Sequence, residues 1–413
     1  MFLQRRRLSS VTKNDPKRWF EVVFKDGSSG KFPFVWLRDV CLDPKNYSIG
    51  PAMRARIPMM KDFDVTVSPC SHSVKSSGLG ITWSDGHQSF YPTSWLKSRN
   101  LSDSKVLSSR KSQYLKDTVV WNENLIKKLP VKVDHNEFIS EESGVKKFLD
   151  AVCRDGIGML VNGPQLDVEE HQNVVQKIGD RIGLIHQTHF GEIFSVCTKP
   201  DASNMAYASG KELPYHTDFP SLSDPPQLQF LHMTQPAKVG GKSMFVDGFQ
   251  VAEILRKHHK WAFETLSKTY LEFIEIGYDM HEKNGKEKKF DFRMMSQQKT
   301  ISLRGDGTLK KVQFGNAMRS WAFATDPEEI QLVYDALKLF TDLCYRPENQ
   351  LVFEMKKGES VLWANTRLLH ARSAYDCDPG VPRVLHGCYF SWDIVKSRLR
   401  LANSRVSQDN DVI

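Results

Sequence analysis

The sequence has no run of about 18 or more consecutive apolar residues, the length that a membrane-crossing helix needs. It also lacks any Cys-x-x-Cys pair, internal repeat or heptad pattern. Its seven cysteines, at 41, 70, 153, 197, 344, 377 and 388, are far apart and odd in number, which argues against a disulfide framework. No apolar leader segment is present, so the expectation is free thiols in a reducing compartment, namely the cytoplasm. The first dozen residues, MFLQRRRLSSVT, are rich in arginine and serine and contain no acid, which keeps the mitochondrial matrix as the alternative. No nucleic-acid-binding module is visible either. The formal charge of +8 is split between Arg5, Arg6 and Arg7 and a lysine-rich segment, 283–311, with no basic stripe interleaved with aromatics. Nucleic acid and membrane are therefore not expected as partners.

What is present suggests two domains, since 413 residues exceed the size of one average domain. Residues 1–100 read as a small N-terminal β domain. In RWFEVVFKDGSSGKFPFVWLRD two strand-like runs flank Asp-Gly and Ser-Gly turns, and GLGITWSDGHQSFYPTSWL repeats the arrangement around Asp85-Gly86. Residues 101–137 are polar and basic with little periodicity and read as a linker. From 138 to 413 helices alternate with short β-like runs. SEESGVKKFLDAV reads as a helix capped by Ser140, DVEEHQNVVQKIGDRIG as one capped by Asp167, and DPEEIQLVYDALKLFTDLCY as one with Asp326 as cap and Pro327 in the first turn. LQFLHM, KSMFVDG, QLVFEM, SVLWAN and RVLHGCYFSW read as strands. The fold class expected is mainly β with flanking helices, the core being a jelly-roll barrel.

LPYHTDFP, residues 213–220, holds His216 and Asp218 two apart. On a strand, alternation turns both side chains to one face, where they bind a metal from one side. A third, distant histidine completes a two-histidine, one-carboxylate Fe(II) site with open positions for a co-substrate and oxygen. His-x-Asp alone is a weak signal in a chain with 13 histidines. A near match at His135 and Glu137 falls in the linker and reads as solvated surface. The downstream context adds to the signal: KKGESVLWANTRLLHARSAYD brings a glycine turn, a buried strand and His370, and Arg383 opens another strand. A planar guanidinium near such a metal suits the far carboxylate of a 2-oxo diacid. Arg383 is the preferred anchor, and Arg372 competes for the role.

GKELPYHTDFPSLSDPP, VGGKSMFVDGF, NTRLLHARSAYD and RVLHGCYFSWDIVKSRLR together resemble the γ-butyrobetaine dioxygenase family. WLRD and ITWSDGH extend the resemblance into the small domain. The resemblance implies a double-stranded β-helix core and a homodimer, with Fe(2+) and 2-oxoglutarate as cofactors and ascorbate as reductant. The small-molecule reactants implied are γ-butyrobetaine, 2-oxoglutarate and O2, and the product is L-carnitine, by hydroxylation at C3. It also implies that His216, Asp218 and His370 hold the iron and that Arg383 and Ser243 hold 2-oxoglutarate.

The same resemblance places Phe190, Phe194, Tyr207 and Tyr389 around the substrate's trimethylammonium group, a cation that donates no hydrogen bond and is held by aromatic faces. The family more often has tyrosine and tryptophan where this chain has Phe190 and Phe194, which weakens the expected grip. Asn204 and Asn316 match the positions that hold the substrate carboxylate. Related trimethyllysine dioxygenases resemble this region with an aspartate at Asn204, so the asparagine favours the betaine. In the small domain the family usually holds zinc through three cysteines and a histidine. Here only Cys41 and His87 remain, with Asp43 and Asn46 at the other positions, and no zinc is expected. Cys70 and His72 are the one alternative completion. Three other readings stay open: a trimethyllysine hydroxylase, a hydroxylase of protein or nucleic-acid side chains, and a binding module that keeps the fold without activity.

Overall fold

Asp-Gly turns organise the first hundred residues. In the computed structural model, which describes residues 8–41, 43, 60–114, 118–197, 209–283 and 286–407, Gly27 and Gly86 have φ of +83° and +80°. Glycine adopts this left-handed conformation without strain. Each turn joins an antiparallel pair, Trp19–Phe24 with Ser29–Pro33 and Gly78–Trp83 with Gln88–Pro92. Leu8–Asn14 and Pro69–Lys75 add a third strand to each sheet. A short helix follows each pair directly after a proline, Phe34–Asp39 after Pro33 and Thr93–Ser98 after Pro92. The inward-facing Phe20, Val22, Phe32, Leu79, Ile81 and Tyr91 join in one core. The chain divides into two units after Lys116.

In the second unit ten strands form two sheets. The six-stranded sheet contains β1 (Val131–Asp134), β2 (Ile157–Val161), β3 (Phe194–Cys197), β5 (Leu228–Gln235), β8 (Ser360–Ala364) and β10 (Val384–Phe390), in the order β1-β2-β8-β5-β10-β3. The four-stranded sheet contains β4 (Leu213–His216), β6 (Ser243–Asp247), β7 (Gln350–Phe353) and β9 (Leu368–Arg372), in the order β4-β9-β6-β7. Strand alternation sorts each sheet's side chains. On β5, Leu228 and Phe230 pack outward with the helices α1 (Glu142–Asp155), α2 (His171–Ile182) and α6 (Trp392–Ser407). Met233 points the other way and joins Trp363 and Leu385 of the same sheet, and Phe245, Leu351 and Leu368 of the other. That shared cluster is the interior of a double-stranded β-helix. Helices α3 (Gly248–His258), α4 (Lys260–Lys268) and α5 (Ile330–Cys344) cover the outer face of the smaller sheet through Val246, Leu369 and Ala371. No helix among the described residues is long and apolar enough to cross a membrane.

Two local expectations change. Ser140 does not cap α1; it closes a separate short helix, His135–Ser140, and its hydroxyl donates to the Asn136 carbonyl at 2.7 Å. The cap of that helix is Asp134, whose carboxylate accepts from the backbone N–H groups of Asn136 and Glu137. His135 is consequently buried at a helix start rather than solvated in a linker. The stretch 101–137 carries a helix, Ser104–Tyr114, and strand β1, which pairs parallel with β2.

Candidate active site

Strand pairing brings the two distant histidines together. β4 runs antiparallel to β9 with His216 directly opposite His370, and their ring centroids are 4.1 Å apart. His216 Nδ1 donates to the Pro214 carbonyl at 2.9 Å, which leaves the lone pair of Nε2 facing inward. Nε2 of His216 and of His370 lie 3.3 and 3.5 Å from Asp218 Oδ1. Among the described residues, these three form the one group of histidine, cysteine and carboxylate atoms close enough to share a metal ion, all within 4.8 Å of each other. All three are buried.

Asp218 reaches this position by a different route from the one its spacing suggests. Strand β4 ends at His216, and Asp218 sits in a bend beyond it. Phe219 follows with φ of +57°, a left-handed conformation unusual for a bulky side chain. The bend is held by Asn365, which bonds both the N–H and the carbonyl of Asp218, at 2.8 and 3.1 Å.

The protonation states suit a divalent cation. Burial opposes ionisation of Asp218. The neighbouring His216 and His370 and the Tyr389 hydroxyl outweigh it and hold the carboxyl at about 2. Burial, and then the neighbouring His216, push His370 down to about 3. At neutral pH the pocket thus offers an ionised carboxylate and a neutral His370 imidazole, the forms in which these groups ligate.

The interior faces extend the site in two directions. On one side, alternation puts Arg372 on the face of β9 that carries His370, with Ser243 of β6 opposite it. Arg372 is committed to backbone, donating to the carbonyls of Ser209 and Lys211. Arg383 is just as buried, and among the described residues it makes one long hydrogen bond, 3.4 Å to the Gly241 carbonyl. Its Nε has no hydrogen-bond partner among the described residues. Both guanidiniums lie over the ring of Tyr375, at 4.6 and 5.5 Å, and neither meets a carboxylate among the described residues. Burial, and then Arg372, push Arg383 down to about 10. Gly241 allows this close approach: its φ is +67°, and a Cβ there would sit 3.0 Å from Arg383 Nε.

On the other side, aromatic rings converge. Tyr389 of β10 stacks on Phe194 of β3 at 5.0 Å. Phe219 meets Tyr389 edge-on at 5.3 Å and lies 5.6 Å from Phe190, which in turn is 6.1 Å from Phe194. Asn316 lies just after Gly315, where a Cβ would be 4.0 Å from that of His216; Asn316 Oδ1 accepts from Arg319 Nε at 3.0 Å. Asn204 and Tyr207 lie outside the described residues.

Three residues join the site that sequence reasoning did not single out. Phe219 adds a ring to the aromatic wall. Asn365 clamps Asp218. Gln229 pairs across the sheet with both Trp363 and Tyr389, and its Oε1 is buried with no partner among the described residues. The alternating apolar pattern of LQFLHM, broken by one amide, was the available signal for Gln229. In the small domain, Cys41 Sγ and His87 Nε2 are 3.1 Å apart, and Asp43 Oδ2 is 4.0 Å from that nitrogen. Ser89 donates to the Cys41 sulfur at 3.0 Å. Asn46 lies outside the described residues. Cys70 is exposed, and the His72 ring packs on Phe20 at 5.1 Å.

Residues 121–389 match the family described as taurine catabolism dioxygenase TauD, TfdA family. Residues 11–97 match the family described as gamma-butyrobetaine hydroxylase-like, N-terminal. A gamma-butyrobetaine dioxygenase of Pongo abelii is 33% identical over 396 residues, covering 96% of this chain and 97% of that protein. The chain belongs to the gamma-butyrobetaine dioxygenase family. Its Homo sapiens relative of the same name is 32% identical over the same length, with the same coverage. A mitochondrial trimethyllysine dioxygenase of Gallus gallus is also similar, at 28% identity over 90% of this chain and 83% of its own. Membership in the gamma-butyrobetaine dioxygenase family thus spans both units of the chain, the small β domain as well as the double-stranded β-helix.

Proposed function

We propose that this protein hydroxylates γ-butyrobetaine at C3 to give L-carnitine, with ferrous iron and 2-oxoglutarate, and with ascorbate as reductant. One observation carries the reading: a histidine–aspartate–histidine cluster is enclosed between an aromatic wall and a buried guanidinium that has no carboxylate partner among the described residues. The donor set of two imidazoles and one carboxylate fits iron and leaves positions open for other ligands. Bound iron and 2-oxoglutarate supply the oxygen activation. His216, Asp218 and His370 hold the metal. Arg383, with Ser243 nearby, receives the far carboxylate of 2-oxoglutarate, because a desolvated guanidinium without a counter-ion favours a bidentate anion. Phe190, Phe194, Phe219 and Tyr389 present faces to the trimethylammonium group, each contributing roughly 0.5–2 kcal/mol when desolvated. By resemblance, the amides of Asn204 and Asn316 donate to the substrate carboxylate, and Tyr207 adds a further aromatic face. Selectivity for C3 then follows from placement, since cation and carboxylate are anchored at opposite ends of the substrate.

Trimethyllysine is the second reading, supported by the similarity to trimethyllysine dioxygenases. Purified protein with Fe(II), 2-oxoglutarate, ascorbate and oxygen decides between the two when offered each substrate separately and followed by NMR. Carnitine from the betaine, with the trimethyllysine left unchanged and all turnover lost in His216→Ala, is the expected result. Hydroxylated trimethyllysine alone reverses the assignment. The resemblance also suggests a homodimer, and the seven free cysteines suit a reducing compartment such as the cytoplasm.

A further inference from the structure

We propose that Tyr389 and Asn365 are positioning residues for Asp218, and that Tyr389 ties the pose of this carboxylate to the aromatic wall. The proposal rests on the reading of His216, Asp218 and His370 as metal ligands. Asp218 needs support from outside its own segment. Strand β4 ends two residues earlier, and the next residue, Phe219, is held at φ +57°. The Asp218 backbone therefore has no ladder partner. Asn365, wholly buried on the loop between β8 and β9, does what a neighbouring strand would do. Its Oδ1 accepts from the Asp218 N–H at 2.8 Å, and its Nδ2 donates to the Asp218 carbonyl at 3.1 Å and to the Pro226 carbonyl at 2.8 Å.

The side chain is held separately. Oδ1 of Asp218 faces the two imidazole nitrogens, while Oδ2 accepts from the Tyr389 hydroxyl at 2.6 Å. A carboxylate free to rotate presents either oxygen, or both, to a cation. The hydroxyl engages one oxygen and leaves the other to the metal, without bringing a competing charge. Outer hydrogen bonds of this kind orient a ligand, and their loss typically weakens metal binding about 10- to 100-fold. The ring that carries the hydroxyl is the one Phe194 stacks on and Phe219 meets edge-on. A cation seated against these faces therefore bears on the same ring that sets Asp218. Substrate contact and metal geometry share one side chain.

Tyr389→Phe separates the two roles, because it keeps the aromatic face and removes the hydroxyl. The test titrates the full-length apoprotein with Co(II), followed by visible absorption, alongside melting of each apoprotein to confirm folding. The expected result is a Co(II) dissociation constant raised about tenfold or more in Tyr389→Phe, with an altered ligand-field band. Phe194→Leu, which keeps the hydroxyl, should leave the Co(II) dissociation constant within about twofold of the wild-type value. Asn365→Ser, which removes the clamp but not the hydroxyl, should also weaken Co(II) binding, and it carries the test if the Tyr389 variant does not fold. Unchanged Co(II) affinity and spectrum in a folded Tyr389→Phe overturn the role of the hydroxyl. Wild-type protein that binds no Co(II) overturns the metal reading beneath it, so the two failures are distinguishable.

Discussion

Arg383 offers a test in which stability and function should move in opposite directions. Arg383 is 5% exposed, and among the described residues it makes one 3.4 Å hydrogen bond and faces Arg372 rather than an acid. Burial and that neighbour pull it down to about 10 from its ordinary value. A displacement of that size corresponds to roughly 3 kcal/mol of unfavourable environment for the charged form. Arg383→Met keeps most of the apolar stem and removes the charge. Part of the gain is lost to the vacated volume, so the apoprotein should melt a few degrees higher, at about 2–4 °C per kcal/mol for a domain of this size. The same change removes the proposed anchor for 2-oxoglutarate. Two charge-assisted hydrogen bonds, at roughly 1.5 kcal/mol or more each, amount to an affinity loss of about 100-fold. Thermal melting with Co(II), with and without 2-oxoglutarate, reads both effects. Wild-type protein should gain stability from 2-oxoglutarate, and the variant should start higher and gain nothing. A variant that melts lower, yet still responds to 2-oxoglutarate, would refute both the strain argument and the assignment of the anchor.

Two further outcomes follow from other parts of the structure. A buried relay runs from the Leu166 carbonyl through His171 and His232 to Ser360: His171 Nε2 donates to Leu166, His232 Nε2 donates to His171 Nδ1 at 2.7 Å, and the Ser360 hydroxyl donates to His232 Nδ1. Burial, and then His171, push His232 down to about 3, below its value in the unfolded chain. A lowered histidine stabilises the fold at neutral pH, and that stability is lost as pH falls below about 6.5, so lowering pH from 7.5 to 5 should remove about 2 kcal/mol through His232 alone. Urea unfolding at both pH values checks this, with His232→Leu expected to show a shallower pH dependence. In the aromatic wall, Phe194→Leu should raise KM for γ-butyrobetaine by roughly 2- to 30-fold, the range of one cation–π contact, and an unchanged KM would remove Phe194 from the pocket.

Much of the site could be read locally. His-x-Asp, the later His370 and the flanking Arg383 name their own chemistry, because ligand type and charge belong to individual side chains. The Asp-Gly turns of the small domain were equally legible, since a left-handed turn needs glycine wherever it occurs. Helix starts were less so. Asp134 and Ser140 are both good caps, and only the packing of two consecutive helices decides which of them serves.

The sequence by itself determined the donors, their order along the chain and the alternation that sends Phe230 outward and Met233 inward. Tertiary structure decided what those donors meet. Antiparallel pairing of β4 with β9 sets His216 against His370 across a separation of 154 residues. Asp218 leaves its strand because Asn365 bonds its backbone, and Tyr389, which the family resemblance marks as a pocket wall, turns its hydroxyl to that carboxylate. Arg372 competes with Arg383 in sequence terms, and among the described residues the carbonyls of Ser209 and Lys211 distinguish the committed guanidinium from the available one. A residue's chemical capacity is carried by its side chain, whereas its role depends on partners that only long-range strand pairing brings within reach.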